Sequence, residues 1–276
     1  MAPIATAHLL LPLHHELMAL LRGLEAADWQ RPTVAGAWRV RDVAAHLLDV
    51  QLRRLSLQRD GHAGPPPDRD LRDHRALVEW LNELNATWLR GTARVSAPLL
   101  VDLLDAVGPQ CAAFLQSLDP EGPAIFPVAW AGEETSRHWM DVGRDYTEFW
   151  HHQAQIRLAV GAALLEQREW LHPVLALAVH GLRRALAPHR RADGAAVVVQ
   201  VTGEAGGTWH ALAGDGTWTV HPGGAPAPLA TVTLPAAIAW PLWFNALPPV
   251  EARQRATTAG DETLVQAIFS ARSVMV

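Results

Sequence analysis

Glu148 and His152 stand four positions apart in the stretch Thr147-Glu-Phe-Trp-His-His-Gln. On a helix that interval puts two side chains about 40° apart on one face, with roughly 6 Å between their Cβ atoms. A carboxylate and an imidazole so placed can both reach one divalent cation, which is why helical metal sites use this spacing. The same residues admit a plainer reading. Asp141, Asp145, Glu148, His152 and Gln155 form a narrow polar stripe beside an apolar one of Val142, Tyr146, Phe149, Ile156 and Val160. An amphipathic helix with a solvated face presents the same pattern. His151 points about 100° away from His152 and is the weaker ligand of the two. A further histidine, His46, falls on a helix whose core stripe is Val43, Leu47 and Val50, about 60° from Val43 and so at the edge of the buried face. Taken alone, such a histidine is more often satisfied by water or a carbonyl than by a metal.

The elements that must position these side chains are helices. Apolar periodicity predicts them over about Ile4–Ala26, Arg39–Asp60, Asp70–Arg90, Pro98–Leu118, Thr135–Val160 and Leu164–Ala187. The triple proline within Gly61–Pro67 breaks the pattern, and Asp119–Glu134, with three prolines and two glycines, reads as a loop with room for a short strand. After Pro188 the texture changes. Ala195–Thr202 is a β-branched run, and Trp209–Leu212 and Trp218–His221 flank the hairpin signal Gly214-Asp215-Gly216. Leu229–Leu234 reads as a further strand, Pro235 opens a helix to about Phe244, and Asp261 N-caps a last one ending near Ala271. The expected fold class is therefore mainly α plus α+β: a helical region over residues 1–188, then a small domain over 189–276 with helices packed on one sheet.

Composition narrows the chemistry. All 23 basic residues are arginine, so a phosphate-loop lysine, a Schiff-base lysine and a Ser-x-x-Lys pair are excluded. Cys111, the one cysteine, excludes an internal disulfide and a cysteine-rich zinc site. It lies among Ala and Phe in an apolar helix, where an inert core thiol is expected rather than a nucleophile. A net charge of −5 gives no electrostatic reason for nucleic-acid binding. No apolar stretch runs uninterrupted to the roughly 20 residues of a membrane span. The run Leu9–Leu13 lacks the basic flank of a signal peptide, so a cytoplasmic protein is expected, as monomer or homodimer.

One resemblance is more specific than any of these patterns. The stretch Arg31-Pro-Thr-Val-Ala-Gly-Ala-Trp-Arg-Val-Arg-Asp-Val-Ala-Ala-His-Leu-Leu resembles the opening of the second helix in mycothiol-dependent maleylpyruvate isomerase-like proteins, a branch of the DinB-like helical bundles. There a Pro-Thr, a Gly and then Trp-x-Val-x-Asp precede the first metal-ligating histidine, which falls on His46. Glu148-x-Trp150-x-His152, followed by Ile156-Arg157 and Gly161, is similar to the family's second ligand motif. Val201-Thr-Gly-Glu, Gly207-Thr-Trp-His, Leu234-Pro, Trp240, Trp243, Ala252-Arg253, Gly260-Asp261 and Leu264 resemble its C-terminal domain, itself similar to sterol-carrier proteins. The resemblance implies a DinB-like four-helix core with extra helices and a metal triad of His46, Glu148 and His152, with zinc the first candidate for the ion. It also implies mycothiol or a related small thiol as cosubstrate and a small acidic or electrophilic substrate. By analogy with an arginine the family places near the end of the second domain, Arg253 and Arg255 are candidates for holding the substrate anion; ordinary surface arginines would look the same. Two positions depart from the pattern. Gln155 stands where an acidic residue is usual, and the arginine expected near the second ligand motif is displaced to Arg144. Two other classes stay open: a metal-dependent hydrolase acting on an amide or ester, and a non-catalytic protein that binds a metal or a small ligand. Trp38 and Trp150 are expected to pack beside the site.

Overall fold

The computed structural model describes residues 3–71 and 73–274. Ten α-helices and five strands are defined among them. The helices that come first are α1 (Leu10–Arg22), α2 (Val40–Arg54), α3 (His74–Thr92), α4 (Ala97–Ser117) and α5 (His138–Val160). Then come α6 (Arg168–Ala178) and α7 (Gly181–Leu186), strands β1 (Ala196–Thr202), β2 (Gly207–Gly214), β3 (Thr217–Pro222) and β4 (Ala230–Pro235), helices α8 (Ala236–Trp243) and α9 (Pro249–Gln254), strand β5 (Thr257–Gly260) and helix α10 (Glu262–Ser270). Mainly helical sequence followed by an α+β region is thus the architecture.

Two compact units make up the chain. The helical unit comprises Ala7–Asp119 and Glu148–Leu164; the sheet unit comprises, among the described residues, 3–6, Pro120–Thr147 and 165–274. The expected boundary at 188/189 marks where helix gives way to strand, between Leu186 and Ala196. Compactness divides the chain elsewhere, because α6 and α7 pack on α8 and β3 and so go with the sheet.

In the helical unit, α1, α2 and α4 pack around Leu17, Leu21, Val43, Leu47, Leu100 and Leu104, and Ile156 of α5 completes the cluster. Each such side chain taken fully out of water contributes about 1.5–3 kcal/mol. The first helix is shorter than its apolar pattern predicts. A 3-10 turn over Ala7–Leu9 precedes it and Gly23 stops it. The second continues past Arg54 as a π-helical turn, Leu55–Arg59, before the proline-rich break. Asp73 N-caps α3 by accepting from the Ala76 amide at 3.0 Å, and Trp88 Nε1 donates to the Ala45 carbonyl of α2 at 2.7 Å. By length and mean hydropathy α4 could cross a membrane, more than the interrupted apolar runs of the sequence suggest. Its packing explains the composition: Leu100, Leu104, Cys111 and Leu115 are buried, while Asp102 and Asp105 are exposed.

The sheet unit carries strands in the order β3-β2-β1-β4-β5, all antiparallel pairs except β1 with β4. The hairpin signal is realised: Gly214 pairs with Thr217, and Asp215 and Gly216 both have positive φ (51° and 73°), the two-residue turn that suits twisted strands. The edge strand β5 escaped the pattern reading because Thr257–Gly260 is short and mostly exposed, with no apolar alternation. One long sixth helix was expected; instead the chain breaks at Val179-His180 into α6 and α7. The C-terminal segment occupies the break. Ser273 Oγ donates to the Ala178 carbonyl at 2.7 Å, and a Cβ on Gly181 would lie 2.6 Å from the Arg272 carbonyl oxygen. Gly181→Ala is therefore expected to destabilise the protein by about 2 kcal/mol, read as a lower midpoint in urea; an unchanged midpoint would mean that the segment docks loosely.

Candidate metal centre

The site lies wholly within the helical unit. Its first wall is built by the Pro-Thr…Gly-x-Trp stretch. Thr33 closes a tight loop: its amide and its Oγ1 both donate to the Trp38 carbonyl (3.0 and 2.8 Å), and Oγ1 accepts from the Ala35 amide. Gly36, at φ 61°, makes the left-handed turn that a side chain would resist. Asp42 then accepts from the Arg39 amide at 2.9 Å, satisfying an orphan donor at the start of α2. The loop delivers Trp38 against both histidines, with ring centroids 5.0 Å from His46 and 6.1 Å from His152. The motif is thus a folding instruction for the site.

Glu148 sits between the two imidazoles. Its Oε1 is 3.0 Å from His46 Nε2 and 3.1 Å from His152 Nε2, and the three ligand atoms lie within 4.8 Å of one another. His46 and His152 are 5% and 7% exposed. The polar stripe on α5 is not a solvated face: Asp141, Asp145, His152 and Gln155 are all buried, and only Glu148 is partly open. This removes the plainer reading of the stripe.

Protonation favours ligation. Burial pushes the His46 pKa below its ordinary value, against the raising effect of Glu148. Burial alone would raise the Glu148 pKa, but the imidazoles of His152, His46 and His151 outweigh it and hold the carboxyl well below the usual range. A neutral imidazole and an ionised carboxylate are the forms that bind a metal. Gln155 supplies the rest. Its Oε1 lies 2.7 Å from His152 Nδ1, and an amide oxygen can only accept, so Nδ1 carries a proton and in the neutral ring Nε2 is left with its lone pair. That lone pair faces Glu148 Oε1, and two acceptors about 3 Å apart repel unless a cation or a shared proton lies between them. The donor set, two imidazole nitrogens and one carboxylate oxygen, fits a divalent ion such as zinc with a coordination position to spare. Gln155, a departure from the family pattern, offers His152 Nδ1 an acceptor of the kind a carboxylate usually supplies.

The remaining candidates fall as follows. His151 is buried, its ring centroid 4.0 Å from that of His152 and its Nδ1 4.0 Å from Glu148 Oε2, so helical phase understated its proximity. Trp150 is buried on α5 and Cys111 on α4. Arg144 pairs with Asp141. Arg253 and Arg255 lie in the sheet unit, at and just beyond the end of α9; Arg253 is bound bidentately to Glu262 at 2.6 and 2.8 Å. Asp49, one turn beyond His46, was not anticipated. It is buried and paired with Arg53 at 3.0 Å, and burial raises its pKa.

Comparison with known proteins bears on the kinship of the chain. The profile of the mycothiol maleylpyruvate isomerase N-terminal domain matches residues 10–157, more than half of the chain. Solved structures that resemble it include a mycothiol-dependent maleylpyruvate isomerase (12% identity, TM-score 0.54) and a histidine-to-alanine mutant under the same name (10%, 0.53). Each comparison covers 94% of this chain and 96% of the other. At such identity the likeness is one of fold. No curated protein matches the sequence. The profile, which takes in His46, Glu148 and His152, settles the kinship: the chain belongs to the mycothiol maleylpyruvate isomerase N-terminal domain family.

Proposed function

We propose that this protein is a divalent-metal-dependent enzyme that uses a low-molecular-weight thiol of the mycothiol type, either to isomerise an unsaturated acid or to transfer the thiol to an electrophile. The observation that carries the reading is the convergence of His46 Nε2, Glu148 Oε1 and His152 Nε2 within 4.8 Å. Zinc is the ion we assign. Held there, it would supply the charge that acidifies a neighbouring thiol. The protein's own groups do the rest. Gln155 fixes the His152 tautomer, Trp38 covers both imidazoles and limits water, and ionised Glu148 adds one negative charge while the imidazoles add none.

In the isomerisation, a thiolate adds to one carbon of a cis double bond and the electron pair moves into the substrate's conjugated carbonyl. Rotation follows about the new single bond. Expulsion of the thiolate then restores the alkene as trans, with no net oxidation. Arg253 and Arg255 are our candidates for the substrate's carboxylate, although Arg253 would have to exchange Glu262 for it. Cys111, buried on α4, has no part in the addition. A cytoplasmic setting suits a thiol that must stay reduced.

The test pairs metal analysis with turnover. Protein purified without chelator is expected to hold about one zinc-like ion per chain and to convert a cis-unsaturated keto acid only when a small thiol is added. Absence of metal after reconstitution would end the metal reading. Cleavage of esters or amides without thiol would replace it with a hydrolase.

A further inference from the structure

The core of the helical unit contains a polar cluster that the metal centre does not use. His14 on α1, Gln51 on α2 and Gln153 on α5 line one small cavity, walled otherwise by Leu10, Leu47 and Phe149. The three polar residues are 6%, 3% and 1% exposed. Four of their atoms, His14 Nδ1 and Nε2, Gln51 Oε1 and Gln153 Oε1, have no hydrogen-bond partner among the described residues. Gln153 is not simply turned the wrong way. Its Nε2 donates to the Leu13 carbonyl at 3.3 Å, which leaves the oxygen to find another donor.

The placement of the imidazole is built into the fold. Gly108 lies inside α4, where glycine is an unfavourable choice. A Cβ there would stand 2.1 Å from His14 Cε1. Glycine at 108 is thus what admits the ring. Burial, reinforced by His15, lowers the His14 pKa to about 4, so the ring is neutral near pH 7, with one donor and one acceptor nitrogen.

The hydrogen-bond count identifies the guest. The cavity offers one donor and three acceptors, and no carboxylate lines it to balance a cation. An apolar guest would leave every polar atom bare, a cost that takes a large part of a domain's net stability. Water accepts from the imidazole N–H and donates to both amide oxygens, making the three bonds usual for an internal water. The cavity volume, about 10 Å³, suits one such molecule. We infer that this cavity binds a single water molecule, held by His14, Gln51 and Gln153, that ties α2 to α5. Because α2 carries His46 and α5 carries Glu148 and His152, the tie positions the triad; that consequence rests on the metal reading proposed above.

A high-resolution crystal structure of the wild-type protein, repeated under xenon pressure, tests the site directly. The expected result is one water within hydrogen-bonding distance of a His14 nitrogen, Gln51 Oε1 and Gln153 Oε1, and no xenon. Xenon in the cavity, or direct bonds among the three side chains, would overturn the inference. Chelator competition with Gln51→Leu tests the positioning, with zinc affinity expected to fall about tenfold while the circular dichroism spectrum is unchanged. Equal affinity in variant and wild type would overturn the positioning. A wild type that shows the water yet binds no zinc would sink the metal reading and leave the water site standing. Should Gln51→Leu not fold, the wild-type structures still decide on the water.

Discussion

Replacing His46 or His152 by alanine is expected to lower zinc affinity by more than about a hundredfold, and Gln155→Leu by about ten- to a hundredfold, the range seen when an outer partner of a ligating histidine is lost. The order follows from the geometry. Each histidine presents Nε2 to Glu148 Oε1 at 3.0 or 3.1 Å, so either alanine leaves two ligand atoms where a divalent ion needs at least three from the protein. Gln155→Leu keeps all three but releases the Nδ1 proton of His152, letting the ring rotate or take the other tautomer. Chelator competition at fixed pH reads all three variants, and His151→Ala serves as the comparison. His151 is buried against His152, but its Nδ1 stands 4.0 Å from Glu148 Oε2 and outside the convergent set. An affinity loss with His151→Ala equal to that with His46→Ala would mean that the ion sits elsewhere on α5.

The site was legible in the sequence to an uneven degree, and the reasons are physical. The four-residue interval of Glu148 and His152 could be read directly because helical geometry fixes it. Phase alone could not separate a solvated stripe from a buried one. That distinction depends on what packs over α5, which is a matter of tertiary structure: Asp141 and Gln155 are buried in the folded protein. His46 had no local signal for ligation at all, since its partner Glu148 is 102 positions away. Only the resemblance joined them. The structure then gave the motif a physical content, because Thr33, Gly36 and Asp42 form the loop and cap that bring Trp38 onto both rings. Gln155 stands out in the sequence only as a departure from the family pattern; that its amide oxygen lies 2.7 Å from His152 Nδ1 is visible only in the fold.

The fold shows the same division. Long apolar periodicities and turn chemistry located seven of the helical stretches and the β2–β3 hairpin, where one element's own residues decide. What escaped was set by contacts between distant segments. The break between α6 and α7 exists because the chain near Ser273 docks there, and β5 is a strand only because β4 offers it an edge. His14, Gln51 and Gln153 were unremarkable in sequence for that reason too: three helices must assemble before they share a cavity.

Acidification is expected to unfold the metal-free protein well before its exposed carboxylates titrate, because two histidines are buried in neutral form. His14 in the helical unit and His180 in the sheet unit each have a pKa lowered from 6.5 to about 4, by burial first and then by His15 and Arg183 respectively. The sign is that of a depressed folded pKa. Between pH 6.5 and about 4 the unfolded chain binds protons that the folded chain does not, so stability is full above the upper value and falls as pH drops through the window. Each residue is expected to cost about 3 kcal/mol across it, and the two together approach a domain's whole margin of about 5–15 kcal/mol. His46, also lowered by burial, acts in the same direction, and bound metal would mask it, which is why the apo protein is used. Urea midpoints from pH 7.5 to 4.5 supply the measurement. In His180→Phe, which keeps a ring against Trp139 but cannot take up a proton, the slope of stability against pH near 5 should fall by about 1.4 kcal/mol per pH unit. His14→Phe should lower it by a similar amount. Parallel curves for wild type and both variants would show that these imidazoles reach protons without unfolding, and the acid sensitivity would then have to come from the carboxylates.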